Sequence, residues 1–133
     1  LYTKHEHEEA ILEIILNFVQ SIGQFEQENR NIEPRILNAV RIVRNSLHKE
    51  VALELVSAQV FLSESRFAHL FKEQIGIPFR RYVLWCRMQT ALQAVVLGNS
   101  LTEAAYEGGF SDVAHLSRTF LKMFGVSPSE VLK

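Results

Sequence analysis

Four residues near the start of the chain are of the types that bind metal ions. His5 and His7 are followed directly by Glu8 and Glu9. A structural metal site needs about four ligands held by a fold, and two histidines two positions apart on a helix point in different directions. We therefore expect a solvated terminus here rather than a metal site.

The single cysteine, Cys86, is the other candidate for chemistry, as a nucleophile or an alkyl acceptor. Its neighbours Leu84, Trp85 and Met88 predict a partly buried, inert thiol. The sequence contains no glycine-rich phosphate loop, no paired catalytic carboxylates and no nucleophile–base motif. We therefore predict that the protein is not an enzyme and that it uses no cofactor and no metal.

The strongest pattern in the sequence is a helical unit that occurs twice, about 48 residues apart. The copies span residues 53–76 and 101–125, and the second has one extra residue between Ser111 and Leu116. Each copy predicts a short helix, a tight turn, a serine suited to capping a helix N-terminus (Ser63 or Ser111), and a second helix with apolar residues every four positions. This pattern is typical of a helix-turn-helix.

A helix-turn-helix places its second helix in the major groove of DNA. Two such units on one domain therefore predict a reader of two adjacent grooves. Pro78 and the pair Gly98-Asn99 mark the ends of a connector helix at about residues 79–97. The connector residues that we expect to be buried are Tyr82, Trp85, Met88, Leu92 and Val95.

The first 31 residues differ from the rest in pattern and charge. Residues 8–22 predict an amphipathic helix with a broad apolar face, and Gly23 with the polar residues 24–31 predicts a linker. Residues 1–33 carry two basic and seven acidic side chains, whereas the remainder carries 12 basic and eight acidic ones. The net charges are −5 and +4, so only the second region has the sign that favours binding to phosphates.

Further signals at predicted helix ends support an all-α fold. This fold has two helix-turn-helix units joined by a long connector helix, a homeodomain-like tandem, and it is preceded by an amphipathic helix. Pro34 suits the first position of a helix. Ser100 with Glu103, and Ser127 with Glu130, have the spacing of capping boxes. The predicted domains are residues 1–31, a helix and linker left from an upstream sensing or dimerising region, and residues 32–133.

No apolar stretch approaches the ~20 residues of a membrane helix, and one cysteine is typical of a reducing compartment. We therefore expect a soluble, cytoplasmic protein that does not bind membranes. Because the chain begins with leucine rather than methionine, we also expect it to be a fragment whose upstream domain is missing.

Residues 34–133 resemble the AraC/XylS family of bacterial transcription regulators. The resemblance rests mainly on LTEAAYEGGFSD at residues 101–112, HLSRTF at 115–120 and FGVSP at 124–128. Weaker matches include Phe67, Phe71 and Gly76 of the first unit and Trp85, Arg87 and Ala91 of the connector. The resemblance implies a seven-helix domain that binds specific sequences of double-stranded DNA, attached to an effector-sensing or dimerising domain that precedes it.

The resemblance also implies which side chains face DNA, and helical spacing agrees, because these residues lie opposite the predicted core residues of each helix. The implied base-facing residues are Ser65, Ala68 and His69 in the first unit, and Val113, Ala114, His115 and Arg118 in the second. The candidate phosphate contacts are Arg66, Lys72, Arg80 and Arg81. Exposed basic residues are also ordinary surface, and Arg118 could equally bind phosphate or an acidic side chain of the protein.

Two features depart from the family pattern. Phe61 occupies the turn position that Gly109 fills in the second unit, where a positive φ would be unfavourable for a bulky residue, so we expect the two turns to differ. Ala68, Val113 and Ala114 can contact only thymine methyl groups. Direct reading of bases should then be sparse, and sequence preference should depend partly on DNA deformability.

The partners that follow are double-stranded DNA, with RNA polymerase as a candidate further partner, and a second copy of the chain bound through the N-terminal helix or the missing upstream domain. A small-molecule effector would bind only in that missing domain. In the cell the protein would associate with the bacterial nucleoid. Two other function classes stay open: a helical module that holds a partner protein and has lost DNA contact, and a DNA-repair enzyme that uses Cys86.

Overall fold

The computed structural model of the protein describes residues 4–28 and 31–132, and the side chains described in the first segment are those of Glu6 and residues 8–21. His5 and His7 therefore lie outside the described side chains. Every regular element among the described residues is a helix, which confirms the all-α prediction. The helices are α1 (Lys4–Glu28), α2 (Pro34–Arg44), α3 (Leu53–Gln59), α4 (Glu64–Ile75), α5 (Phe79–Val96), α6 (Leu101–Glu107), α7 (Val113–Phe124) and α8 (Pro128–Val131).

The two helix-turn-helix units form where the repeat predicts them. Helices α3 and α4 make the first, α6 and α7 make the second, and α5 is the connector. Seven helices, α2 to α8, cover the region that resembles the family. The tandem arrangement predicted from the repeat is therefore present.

Helix α1 is longer than predicted, and the predicted linker at residues 23–31 is wrong up to Glu28. The helix continues through Gly23 without a break. A glycine inside a helix costs only about 1 kcal/mol relative to alanine, and the glutamines and glutamates that follow are good helix formers. The polar residues after Gly23 therefore continue this helix instead of ending it.

The chain divides into two compact units, each containing one helix-turn-helix. The first unit lies within Asn29–Arg87 and holds α2, α3, α4 and the N-terminal half of α5. The second unit combines the described part of Leu1–Glu28 with that of Met88–Lys133, and so holds α1, the rest of α5, α6, α7 and α8. The division falls within the connector helix, and α1 groups with the second helix-turn-helix instead of standing apart as residues 1–31.

The core of the first unit is built around aromatic rings from α4 and α5. The ring of Phe71 lies edge-on to Phe79 and Tyr82, with centroids 5.3 and 5.4 Å away, and Phe67 lies 5.2 Å from Phe79. Such edge-to-face pairs stabilise a core beyond the area that they bury. They fix α4 on α5 and leave the opposite face of α4 outward.

A polar group is also buried in the first unit, at the Tyr82 hydroxyl. Burial, and the neighbouring Cys86, raise the pKa of Tyr82 well above its usual range, while the nearby Arg44 guanidinium acts in the opposite direction. Cys86 is only 2% exposed. The predicted burial of this thiol is therefore confirmed, and its inertness stays a prediction.

In the second unit, α1 packs within its own chain. Ile11 and Ile15 are buried, and the ring of Phe18 lies edge-on to Phe124 at 6.0 Å. Gln89 Nε2 donates a 2.6 Å hydrogen bond to the carbonyl oxygen of Val19. The expectation that another chain or domain must cover this face of α1 is therefore wrong for its central residues.

The connector α5 is less buried than predicted. Tyr82, Met88 and Leu92 are buried as expected, but Trp85 is 37% exposed and Val95 is half-buried. Three of the five residues predicted to be buried are therefore buried, and the other two are not.

The two predicted capping boxes have different outcomes. Ser100 Oγ accepts a 3.1 Å hydrogen bond from the backbone N–H of Glu103 at the start of α6, as predicted. At α8, Ser127 Oγ donates to the carboxylate of Glu130 at 3.2 Å and caps no backbone N–H among the described residues. Pro128 at the first position of α8 removes one of the N–H groups that such a cap would satisfy.

Candidate nucleic-acid interface

Helix α4 is defined at both ends by local signals in the sequence. Ser63 Oγ accepts a 3.2 Å hydrogen bond from the N–H of Arg66 at the N-terminus. At the C-terminus, Gly76 has φ of 94° and donates its N–H to the carbonyl of Lys72, a conformation that glycine adopts without strain. With Phe67 and Phe71 fully buried, the helix exposes a complete outer face.

Helix α7 has the same construction with a different cap. Asp112, not the predicted Ser111, is the N-cap residue, and its Oδ1 accepts a 2.7 Å hydrogen bond from the N–H of His115. The extra residue of the second copy shifts the cap by one position, and aspartate is as good an N-cap as serine. Leu116 and Phe120 form the buried face.

Counting from the two caps gives a corrected register between the units. Arg66 then corresponds to His115, three positions after the cap, and His69 corresponds to Arg118, six positions after it. Arg66, predicted only as a phosphate contact, thus occupies the same helical position as a predicted base-facing residue. The signal for this was the inserted residue followed by a good capping residue, and the sequence interpretation did not use it.

The predicted base-facing residues lie on the outer faces of the two helices, with different exposure. Ser65, His69, Ala114 and Arg118 are exposed. The half-buried members are Ala68, Val113 and His115. Six positions after its cap, each helix exposes a nitrogen-containing side chain, His69 on α4 and Arg118 on α7.

His69 has an acidic neighbour on its own helix. Its Nε2 lies 3.6 Å from Glu73 Oε2, one turn later, and both side chains are largely exposed. An exposed pair at this separation contributes little to stability. The imidazole can therefore leave Glu73 for another hydrogen-bond partner at small cost.

His115 is held much more firmly than His69. Its Nδ1 faces the Ser111 hydroxyl oxygen at 3.2 Å and the Ser111 backbone N–H at 3.5 Å. The imidazole also lies edge-on to the ring of Phe110, with centroids 5.2 Å apart and planes at 81°. The turn before α7 thus fixes the ring through one of its two nitrogens.

The predicted phosphate contacts are all exposed, but their surroundings differ. Arg66 borders a depression on α4 that is also lined by His69 and Glu73. Arg80, at the start of α5, lines a depression that it shares with three carboxylates, those of Glu50, Glu54 and Glu64. Acidic neighbours reduce the attraction of a cation for phosphate, so Arg80 is the least favoured of the four. The remaining two are Lys72 and Arg81.

Arg87 is a structural residue of the first unit. Its Nη1 donates a 2.9 Å hydrogen bond to the carbonyl of Leu47, and its Nη2 approaches the carbonyl of Lys49 at 3.4 Å. Burial lowers the pKa of this guanidinium from its usual value. The contacts hold the segment that leads into α3, and thereby the entry to the first helix-turn-helix.

The two turns have the same backbone, which corrects the expectation that they differ. Phe61 has φ of 61° and Gly109 has φ of 76°. The Phe61 side chain is 90% exposed, so its ring makes little packing that would compensate for the conformation. The geometry of the turn is therefore imposed by the helices on either side.

A second exposed aromatic residue lies in the other unit. Tyr106 is 71% exposed. Together with Thr102, Phe110, Val113 and Ala114 it lines a shallow, mostly apolar depression between α6 and the N-terminus of α7. The apolar side of α7 that would face thymine methyl groups is thus continuous with α6.

Within the described side chains, no three histidine, cysteine or acidic residues come together in a way that could hold a metal ion. None of the helices described above, α1 included, combines the length and apolar character needed to cross a membrane.

Comparison with known proteins places these features in a family. The family described as a helix-turn-helix domain matches residues 56–133. Among curated proteins, the probable transcriptional regulator LumQ of Photobacterium leiognathi is 34% identical over 97 residues, which cover 70% of this chain and 39% of LumQ. The chain therefore spans well under half the length of this relative.

Solved structures have the same fold. An AraC-type transcriptional regulator from Chromobacterium violaceum is 24% identical, with a TM-score of 0.66 over 74% of this chain and 89% of that chain. The DNA-binding domain of AdpA, solved in complex with a target DNA, is 21% identical, with a TM-score of 0.68 over 75% of this chain and 91% of that chain. At these identities the likeness establishes the fold.

Proposed function

The chain belongs to the AraC-type family of helix-turn-helix transcription regulators, and we propose that it binds specific duplex DNA by placing α4 and α7 in adjacent major grooves. The observation that carries this proposal is the matched construction of the two helices. Each has a capped N-terminus, a buried aromatic face and an outer face with a hydrogen-bonding side chain, His69 or Arg118, six positions after the cap.

The two outer faces would read DNA with few polar contacts. Arg118 can form a bidentate pair with guanine, and His69 can bond one base edge. Ser65 adds a hydroxyl in the first unit. The small or apolar residues would contact thymine methyl groups, and these are Ala68, Val113 and Ala114.

Phosphate binding would come from exposed basic residues that flank the outer faces. We assign Lys72 and Arg81 as anchors, and Arg66 as a residue that reaches either a phosphate or a base. Arg80 would contribute less, because Glu50, Glu54 and Glu64 share its depression. A region with a net charge of only +4 fits a small number of such contacts.

The proposal also includes partners other than DNA. Ile14 and Leu16 are 59% and 43% exposed on α1, and we propose that a second copy of the chain covers them. The family resemblance implies RNA polymerase as a partner and a small-molecule effector bound by a separate domain. It also implies a location on the bacterial nucleoid in the cytoplasm. The members compared above are regulators, and catalysis is no part of the proposal.

The proposal is tested by selecting bound sequences from random duplex DNA and then measuring affinity as a function of salt. We expect one selected sequence to bind at least tenfold more tightly than scrambled DNA, with an affinity that falls as salt rises. Arg118→Ala should cost about 1–3 kcal/mol and relax preference at one base pair. Binding without sequence preference, or none at all, would favour a module that holds a partner protein instead.

A further inference from the structure

His115 is the best-fixed polar side chain on either outer face, and the way it is fixed limits what it can recognise. A backbone N–H can only donate a hydrogen bond, and the N–H of Ser111 points at Nδ1 of His115. With this donor 3.5 Å away, the contact favours a lone pair on Nδ1. The Ser111 hydroxyl, 3.2 Å away, can donate to the same atom. In the neutral ring the proton then resides on Nε2.

The imidazole is also held in place as a rigid group. Phe110 is buried and presents its ring to the imidazole at 5.2 Å and nearly perpendicular. The backbone N–H of His115 is bonded to Asp112 at 2.7 Å. The ring, the backbone and the cap therefore form one small assembly, in which Nδ1 is used internally and Nε2–H remains for an outside partner.

We propose that His115 reads guanine as a pure hydrogen-bond donor, and that Ser111 and Phe110 are positioning residues that fix its tautomer. The inference rests on the proposed function and adds the base that this side chain selects. In the major groove, guanine offers two adjacent acceptors, N7 and O6, and no donor. Adenine places a donor beside N7, cytosine presents only a donor, and thymine offers the single acceptor O4 beside its methyl group, so a lone N–H finds two adjacent acceptors only on guanine.

The corrected register supports the same conclusion from the other unit. Arg66 occupies the position of His115 in α4, and a guanidinium is also a donor without an acceptor. Both helices thus present only donors three positions after the cap. His69 differs, because its Nε2 faces the carboxylate of Glu73 and nothing comparable to Ser111 fixes its ring among the described residues. It is the matched control.

The tautomer is measured directly by nitrogen NMR of the two ring nitrogens at about pH 8.5, where an ordinary imidazole is neutral. We expect His115 to carry its proton on Nε2 alone. Ser111→Ala removes the hydroxyl but keeps the backbone N–H, so it should weaken the preference for Nε2 without abolishing it. Ser111→Thr, which keeps both groups, should leave the preference unchanged. His69 should not change in either variant. A native His115 protonated on Nδ1, or present as an equal mixture, would overturn the proposal.

Base selection is measured with 7-deazaguanine, which lacks only the N7 acceptor, at each guanine of the selected duplex in turn. At one guanine we expect the native protein to lose about tenfold in affinity and His115→Ala to lose less than about twofold. His69→Ala should respond like the native protein at that guanine. If every 7-deazaguanine substitution lowers the affinity of the native protein and of His115→Ala equally, the proposal fails although the protein binds DNA. If no duplex is bound specifically, the proposed function itself fails. The tautomer measurement on native His115 and the duplex substitutions tested with the native protein do not require the Ser111→Ala variant to fold.

Discussion

Phe61 and Gly109 share one left-handed backbone conformation, with φ of 61° and 76°, at the same position of the two turns. Only one of the two is a residue for which this conformation is unstrained. A non-glycine residue there costs about 1–2 kcal/mol, and the ring of Phe61 is 90% exposed. The first turn is thus a source of strain without evident packing in return.

Replacing Phe61 with glycine should stabilise the protein. We expect Phe61→Gly to be more stable than Phe61→Ala by about 0.5–1 kcal/mol, since both remove the ring but only glycine relieves the positive φ, and the freer unfolded chain offsets part of the gain. Urea unfolding of the two variants measures the difference. The reciprocal change, Gly109→Ala, should destabilise by about 1–2 kcal/mol. Equal stability of the glycine and alanine variants at position 61 would show that the turn is not strained.

The exposed apolar residues of α1 should mediate self-association. We expect the protein to sediment as a dimer at micromolar concentration and the double variant Ile14→Ser, Leu16→Ser to sediment as a monomer, because the substitutions remove the exposed apolar surface. Val96→Ser is the control, since Val96 is similarly exposed, at 57%, but lies on α5. A native protein that sediments as a monomer would show that α1 does not mediate self-association.

Lys72 and Arg80 should differ in their effect on the salt dependence of binding. Lys72→Ala should lower the slope of log affinity against log salt by about 0.9, the value for one lost phosphate contact, and weaken all duplexes alike. Arg80→Ala should change the slope less, because three carboxylates line the same depression as Arg80. The measurement is a titration of one selected and one scrambled duplex at several salt concentrations. A change in which sequence is preferred would mean that Lys72 contacts a base.

Tyr82 should make the first unit sensitive to alkali. Its pKa is raised in the folded state above the ordinary value of 10.0, mainly by burial, so the folded protein holds this proton more tightly than the unfolded chain. Stability from this group is complete below about pH 10 and falls as pH rises above it. Tyr82→Phe should flatten the fall in urea-unfolding free energy between about pH 9 and 11. Tyr106→Phe, at an exposed tyrosine, should leave the fall unchanged.

The sequence was sufficient for the elements and their order, because helix signals here are local. Glycine at the ends of α4 and α7, proline at the start of α2, and apolar residues every three or four positions each act within one or two turns. Ser63 was assigned as a cap correctly for this reason. Ser111 is not the cap, because the residue inserted after it in the second copy moves the start of α7 by one position, to Asp112.

Long-range features were less predictable. The burial of Ile11 and Ile15 by their own unit requires contacts between α1 and segments about a hundred residues later, such as Phe18 with Phe124, and no local pattern specifies the partner of an apolar face. The exposure of Tyr106 and the acidic surroundings of Arg80 are likewise tertiary facts. Of the candidate site, the sequence indicated the helices and their outer faces, but not which side chains are fixed there and by what.

The central claim is that both helix-turn-helix units engage DNA at once, and a spacing change in the duplex tests it most directly. The two units should cover patches about 10 base pairs, or ~34 Å, apart on one face of DNA. Inserting five base pairs between the patches turns one of them to the opposite face, while ten restore it. We expect a loss of affinity of at least tenfold for the five-base-pair insertion. Equal affinity for the native and the five-base-pair duplex would show that one unit alone binds, and would contradict the account.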